Sequence, residues 1–170
     1  MKPPSTFFAS FGYAARGIWH SLRHQRNLRI HVSLALPTAA LAWLMGLTRL
    51  DWIVVIVAMA LVLSLELINT GVESVVDLAS PAFHPLAGAA KDAAAGAVLI
   101  GAAASAVLGV LVYMPYVRHF GRHFMVRWQE SPTLVIAWGI GMAVSYALLW
   151  ILVPCRKQSE GGPNQTGGTP

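Results

Sequence analysis

Charge is scarce in this chain. Only 11% of its 170 residues are Asp, Glu, Lys or Arg, against 56% hydrophobic, and the mean hydropathy is +0.59. A soluble domain of this size carries about a quarter charged residues, so the composition points to a membrane protein of one domain. No segment alternates apolar and polar residues at period two, which argues against a small transmembrane barrel. A helical bundle remains, because lipid offers backbone groups no partner outside the chain. Cysteine occurs once, as Cys155. It can form no intramolecular disulfide, and its place at the end of the last apolar run is interfacial, with no function assigned. A Walker-type phosphate loop, a GxGxxG turn and a kinase-type catalytic loop are all missing from the sequence, which excludes a soluble kinase fold at the level of motifs. Cys and His at zinc spacing are missing too; His119 and His123 stand four apart without an acidic neighbour and read as interfacial. Met1 to Ser10 lacks a signal-peptide pattern, since Lys2 is followed by Pro3 and Pro4 and the nearest long apolar run starts near His31. The first segment is therefore expected to stay in the cytoplasm.

What is present is four apolar runs: Val32 to Leu47, Trp52 to Ile68, Ala93 to Met114 and Leu134 to Val153. Each approaches the ~20 residues that span a hydrocarbon core, the first being short and holding Pro37. Four transmembrane helices are expected. Before them, in FFASFGYAARGIWHSLRHQRNLRIH, Phe8, Phe11, Ala15, Ile18 and Leu22 recur at helical spacing with Arg16, Arg23 and Arg26 off the stripe. That is the pattern of an amphipathic helix lying on a membrane surface. The third run, AAAGAVLIGAAASAVLG, is rich in small residues that let helices approach closely. The expected organisation is a core over 1–114, a basic loop with an extra transmembrane helix over 115–155, and a disordered Gly, Pro and polar tail over 156–170.

The formal charge of +5 and a pI near 9.9 fit arginines kept at headgroups and on the cytoplasmic side better than nucleic-acid binding, for which no basic soluble fold exists here. With the N-terminus inside, Lys2, Arg16, Arg23, Arg26, Arg29, Lys91, Arg156 and Lys157 are cytoplasmic, and Arg49, Arg118, Arg122 and Arg127 are outside. The positive-inside rule favours that orientation. The basic, aromatic stretch YVRHFGRHFMVRWQES is the dissenting feature, placed outside as a loop along headgroups.

The sharpest signal is SLELINTGVESVVD at 64–77. On an ideal helix Glu66, Asn69, Glu73 and Asp77 fall at roughly 0°, 300°, 340° and 20°, a stripe about 80° wide. One face carrying these groups from the membrane toward the cytoplasm suits a divalent cation and a proton acceptor. Glu66, flanked by Leu65, Leu67 and Ile68, is the acidic group hardest to explain by solvation. The same carboxylates would also serve an ion or proton pathway, and Asp77 alone would suit a solvated helix end. In SPAFHPLAGAAKDAAAG, Pro81 and Pro85 are expected to shape a loop, with Lys91 and Asp92 opening the third run. Singly, Lys91 reads as a snorkelling anchor and Asp92 as a dipole partner. Beside the acidic stripe, they supply what a nucleotide's phosphates and Mg²⁺ need.

GYAARGI, RNLRIH, LELINTGVESVVD and SPAFHPLAGAAKDAAAGAVL, spread over about residues 7 to 112, resemble the small prokaryotic diacylglycerol and undecaprenol kinases. RNLRIH and HPLAGAAKD are closer to the undecaprenol branch. The resemblance implies a homotrimer in the bacterial cytoplasmic membrane, each subunit having a surface helix and three membrane helices. It implies transfer of the ATP γ-phosphate to a lipid alcohol, either undecaprenol or diacylglycerol, at the cytoplasmic interface. Glu66 would be the general base and Glu73 the Mg²⁺ ligand, with Asn69 and Asp77 supporting the polar site. Lys91 and Asp92 would contact the nucleotide, Tyr13, Phe83 and His84 would surround its base and ribose, and Arg16 and Arg29 would contact lipid. Two departures stand out. Gln25 occupies the place of a metal-sharing glutamate, which leaves open a catalytically weakened or silent member that binds lipid or nucleotide, and residues 115–170 extend past the family's core.

Overall fold

The computed structural model describes residues 7–80, 82 and 84–151, the side chains of 148 and 149 excepted. Among the described residues there is no strand, and the helices are α1 (Phe7–His24), α2 (Arg26–Met45), α3 (Arg49–Ala79), α4 (Pro85–Val117), α5 (Phe120–Glu130) and α6 (Pro132–Ile151). Three of them, α2, α3 and α4, are long and apolar enough to cross a bilayer, and α6 is a further apolar helix of 20 residues. Cys155 and the tail expected over 156–170 lie outside the described residues.

The surface helix is shorter than the sequence pattern suggests. It stops at His24, and Gln25, with φ −103° and ψ 114°, breaks the path so that Arg26 to His31 become the first turns of α2. The Gln25 N–H still closes on the Ser21 carbonyl at 2.7 Å. Phe8, Phe11 and Ile18 on the apolar face of α1 are 83%, 61% and 46% exposed, as they must be for that face to rest on lipid. At the far end of α2, Gly46 takes the left-handed conformation (φ 67°, ψ 44°) that closes a helix without a Cβ clash.

A tight turn then launches α3. Thr48 and Asp51 form a reciprocal capping box, the Asp51 N–H donating to Thr48 Oγ1 and the Thr48 N–H to Asp51 Oδ2, each at 3.3 Å. The Tyr116 hydroxyl at the end of α4 donates to Asp51 Oδ2 at 2.6 Å, tying α4 to the same turn. Around this end sits the apolar core of Ala42, Met45, Leu47 and Val55, packed by Leu41, Trp52, Met59, Val112, Tyr113 and Tyr116. The Tyr113 hydroxyl donates to the Thr38 carbonyl at 2.7 Å, one residue past Pro37.

Helices α3 and α4 make the most extensive contact in the bundle. Their approach is close at Gly101, where an added Cβ would run into the Leu65 side chain. The Ser105 hydroxyl crosses to the Ala58 carbonyl at 3.1 Å. The loop between them is shorter than expected, since Pro85 opens α4 rather than belonging to the loop. His84 caps that start, its Nδ1 accepting from the Leu86 N–H at 3.2 Å, and proline's preset φ suits the first helical position.

The basic stretch after α4 is a helix, not a loop. Phe120, Phe124 and Trp128 repeat every fourth residue and their rings follow one another at 6.3 and 6.1 Å along α5. Arg127 lies 5.4 Å over the Trp43 ring and pairs with Glu130 at 3.5 Å. Helix α6 then runs antiparallel to α2, Trp138 stacking on Trp43 at 5.4 Å and Trp150 Nε1 donating to Ser33 Oγ at 3.1 Å.

Replacing Gly101 by valine is expected to destabilise the bundle by about 1–3 kcal/mol, the usual cost of overpacking. Thermal unfolding in detergent should show the midpoint falling, and falling by less when Leu65→Ala is already present.

Candidate active site

The inward face of α3 is one continuous stripe. Val55, Ala58, Val62, Glu66 and Asn69 are all buried, at spacings of three and four residues, so the groove that packs apolar side chains in mid-helix receives polar ones toward the C-terminal end. Exposure then rises along it: Glu66 is 2% and Asn69 7% exposed, Glu73 is half-buried and Asp77 exposed.

Each group on the stripe has a partner from another helix or from its own. His31 Nε2 of α2 stands 3.3 Å from Glu66 Oε1. One layer nearer the helix end, Gln25 Nε2 donates to Glu73 Oε2 at 3.2 Å and Asn69 Nδ2 donates to Glu73 Oε1 at 3.1 Å. Further still, Lys91 of α4 donates to Asp77 Oδ1. The Thr70 hydroxyl folds back on the Glu66 carbonyl at 2.9 Å and Ser74 on the Thr70 carbonyl at 2.8 Å, which satisfies these polar groups within the helix.

Of the residues singled out by sequence, Glu66, the bonded set of Gln25, Asn69 and Glu73, and the pair of Asp77 and Lys91 thus follow one another along α3. The others lie around them. Tyr13 and Arg16 pair with each other on α1, the guanidinium 4.5 Å from the ring centroid, and both are exposed. Asp92 is exposed on α4, and His84 is exposed at the α4 cap. Arg29 is buried at 1% exposure with its guanidinium 5.6 Å from the Trp150 ring of α6. Phe83 lies outside the described residues.

His31 is the site residue that sequence reasoning passed over. Its signal was there: a histidine closing RNLRIH and opening an apolar run, in the same kind of setting that drew attention to Glu66. Only the pairing of α2 with α3 brings the two together.

Two cavities meet at this pair. The smaller, about 280 Å³, is lined by Asn27, His31, Glu66, Asn69, Val98 and Ala102 among others. The larger, about 380 Å³, is an apolar groove between α2, α3 and α4, lined by residues such as Leu34, Leu41, Met59, Val62 and Gly109. His31 and Ala102 belong to both. A polar pocket holding a buried carboxylate therefore opens beside an apolar groove.

No group of three or more His, Cys, Asp or Glu able to hold a metal exists among the described residues. The donors around Glu73 nevertheless fit a hard cation. Asn69 Oδ1 is buried without a hydrogen-bond partner, and with the Glu73 carboxylate and the Gln25 amide oxygen it makes an all-oxygen set. Mg²⁺ accepts such a set while keeping several waters. The set carries the charge of one carboxylate only.

The family model of prokaryotic diacylglycerol kinase matches residues 12–113, which takes in α1 to α4 and leaves α5 and α6 outside. An undecaprenol kinase of Bacillus subtilis is 42% identical over 109 residues, 64% of this chain and 89% of that protein. A diacylglycerol kinase of Synechocystis is 41% identical over 107 residues, 62% of this chain and 61% of that protein. A diacylglycerol kinase of Haemophilus influenzae is 33% identical over 88 residues, 52% of this chain and 75% of its own length. No solved structure matches the chain.

Gln25→Glu would exchange the hydrogen bond to Glu73 for two facing carboxylates, which repel unless a cation lies between them. The variant is expected to melt below the wild type in EDTA and to gain more from added Mg²⁺, read as unfolding midpoint against Mg²⁺ concentration.

Proposed function

Because the chain belongs to the prokaryotic diacylglycerol kinase family, we propose that it is the lipid kinase that transfers the γ-phosphate of ATP to the hydroxyl of undecaprenol at the cytoplasmic face of a bacterial inner membrane. The observation that carries this reading is Glu66: a carboxylate 2% exposed, in a polar pocket that opens onto an apolar groove. An alcohol whose hydrocarbon lies in lipid or along that groove would present its oxygen at this depth.

In the proposed reaction the acceptor hydroxyl gives its proton to Glu66 as its oxygen attacks the γ-phosphorus. The new P–O bond forms as the bond to the bridging oxygen of ADP breaks, and undecaprenyl phosphate and ADP leave. Phosphoryl transfer of this kind depends mainly on positioning and charge. Lys91, paired with Asp77, would meet phosphate oxygens nearer the cytoplasm. Glu73, Asn69 and Gln25 are the residues that would hold Mg²⁺, which when bound neutralises phosphate charge. Tyr13, Phe83, His84 and Asp92 are proposed around the nucleotide and Arg16 toward lipid, whereas Arg29, expected from the resemblance to meet lipid, is buried inside the subunit. A homotrimer is proposed from the family resemblance.

Undecaprenol is preferred over diacylglycerol because the relative of that name is matched across 89% of its length at 42% identity. The pairing of Lys91 with Asp77 supports a phosphate site over an ion pathway, which has no use for a fixed cation beside its carboxylates. Gln25, giving its amide hydrogen to Glu73, favours a weakened metal requirement and keeps a slow or silent enzyme as the second reading.

The test is transfer from labelled ATP by the purified chain in mixed micelles, with undecaprenol and diacylglycerol offered separately and Mg²⁺ titrated. Phosphate is expected on undecaprenol, and Glu66→Gln is expected to lower turnover by at least about 100-fold while the protein still assembles, the scale of losing a general base. Full activity of Glu66→Gln would remove the base assignment; transfer to diacylglycerol alone would remove the acceptor.

A further inference from the structure

We propose that His31 positions the catalytic carboxylate, its Nε2–H holding one oxygen of Glu66 so that the other is aimed at the acceptor hydroxyl; the inference rests on the kinase reading above. His31 Nε2 is 3.3 Å from Glu66 Oε1. Asn27 of α2 and Asn69 of α3 line the same pocket, the Asn69 amide donating to Glu73, while the α4 residues that line it, Ala95, Val98, Leu99 and Ala102, cannot donate a hydrogen bond from their side chains.

The placement follows from the helix pairing. Gln25 reaches Glu73 and His31 reaches Glu66, so the two antiparallel helices are joined by two polar rungs. The rungs are about 9 Å apart from the N-cap of α2 to His31 and about 10.5 Å apart along α3, at the rise of an ideal helix. The spacings agree, so both contacts form without distortion. The outer rung serves the residues proposed for the metal, and the inner rung serves the base.

A carboxylate with no anchor samples several rotamers, and a base that must meet a hydroxyl within hydrogen-bond reach loses rate with each unproductive one. Imidazole donates from Nε2 both when neutral, in the appropriate tautomer, and when protonated, so the hold does not depend on its charge. Glu66 keeps the lone pairs of its second oxygen for the substrate. The site is also where an acceptor would arrive, since His31 lines both the polar pocket and the apolar groove. The His31 side chain is 23% exposed against 3% for that of Glu66, so it stands on the approach to the carboxylate.

Three substitutions of the full-length chain separate this role from packing. The amide nitrogen of glutamine falls near the place of Nε2, that of asparagine near Nδ1, and leucine fills the space with no donor. With kcat and KM measured for ATP and for undecaprenol in mixed micelles, His31→Gln is expected to retain kcat within about threefold. His31→Asn and His31→Leu are expected to lose about 10- to 100-fold in kcat, the scale of a lost hydrogen bond to a charged group. KM for ATP should stay unchanged throughout, and the unfolding midpoints should lie within a few degrees of one another. Undiminished kcat in His31→Leu, or equal loss in all three variants, overturns the inference while leaving the kinase reading standing. If the wild-type chain transfers no phosphate to any lipid alcohol, the kinase reading fails and this inference fails with it.

Discussion

Burying a carboxylate among helices costs several kcal/mol unless a donor meets it, and Glu66 is buried more completely than any apolar side chain of the core except Ala42 and Leu28, which matches it. Much of the architecture answers that constraint. His31 has to arrive opposite Glu66, which sets how far α2 slides along α3. Once that register is set, Gln25 falls opposite Glu73, and the backbone leaves the helical path there because α1 and α2 point in different directions from the same residue. The opposite end of the bundle is fastened separately, by the Thr48, Asp51 and Tyr116 turn and the apolar cluster beneath it. One end of the molecule is rigid through packing and capping. The other is held by polar contacts between groups that retain chemical reactivity.

Legibility from sequence followed the range of the interactions concerned. The stripe of Glu66, Asn69, Glu73 and Asp77 lies within one helix, so helical geometry alone collects it, and the membrane character is a matter of composition. Lys91 with Asp77 spans one loop and was legible as a neighbourhood, though not as an ion pair. The pairing of His31 with Glu66 needs the relative slide of two helices, which no local pattern carries. Gln25 was visible as a departure from a familiar motif, and the structure supplies its present partner. In the sequence of α5, charges hide the four-residue aromatic repeat of Phe120, Phe124 and Trp128, so the stretch has the look of a loop. Pro85 is ambiguous in sequence, since proline suits a loop and a helix's first turn alike.

The part of the chain outside the family match is not an appendage hanging in lipid. Helix α6 lies along α2, with the Trp43 and Trp138 rings stacked at one end and Trp150 touching both Ser33 and Arg29 at the other. That face of α2 is consequently covered by the chain itself. A helix that also presents Gln25 and His31 to the carboxylates is thereby braced from behind, and Arg29, buried at 1% exposure, is enclosed within the subunit.

Gly101 and Leu65 act as a notch and pin between the two longest helices. Lys91 sits about 15 Å up α4 from the notch at the rise of an ideal helix, so the pin behaves as the zero mark of a ruler whose other end is the ammonium group. A slip of one helical turn, about 5.4 Å, would carry the cation past Asp77 altogether. The position of the charge along α4 is thus tied to a hydrocarbon contact ten residues away from it.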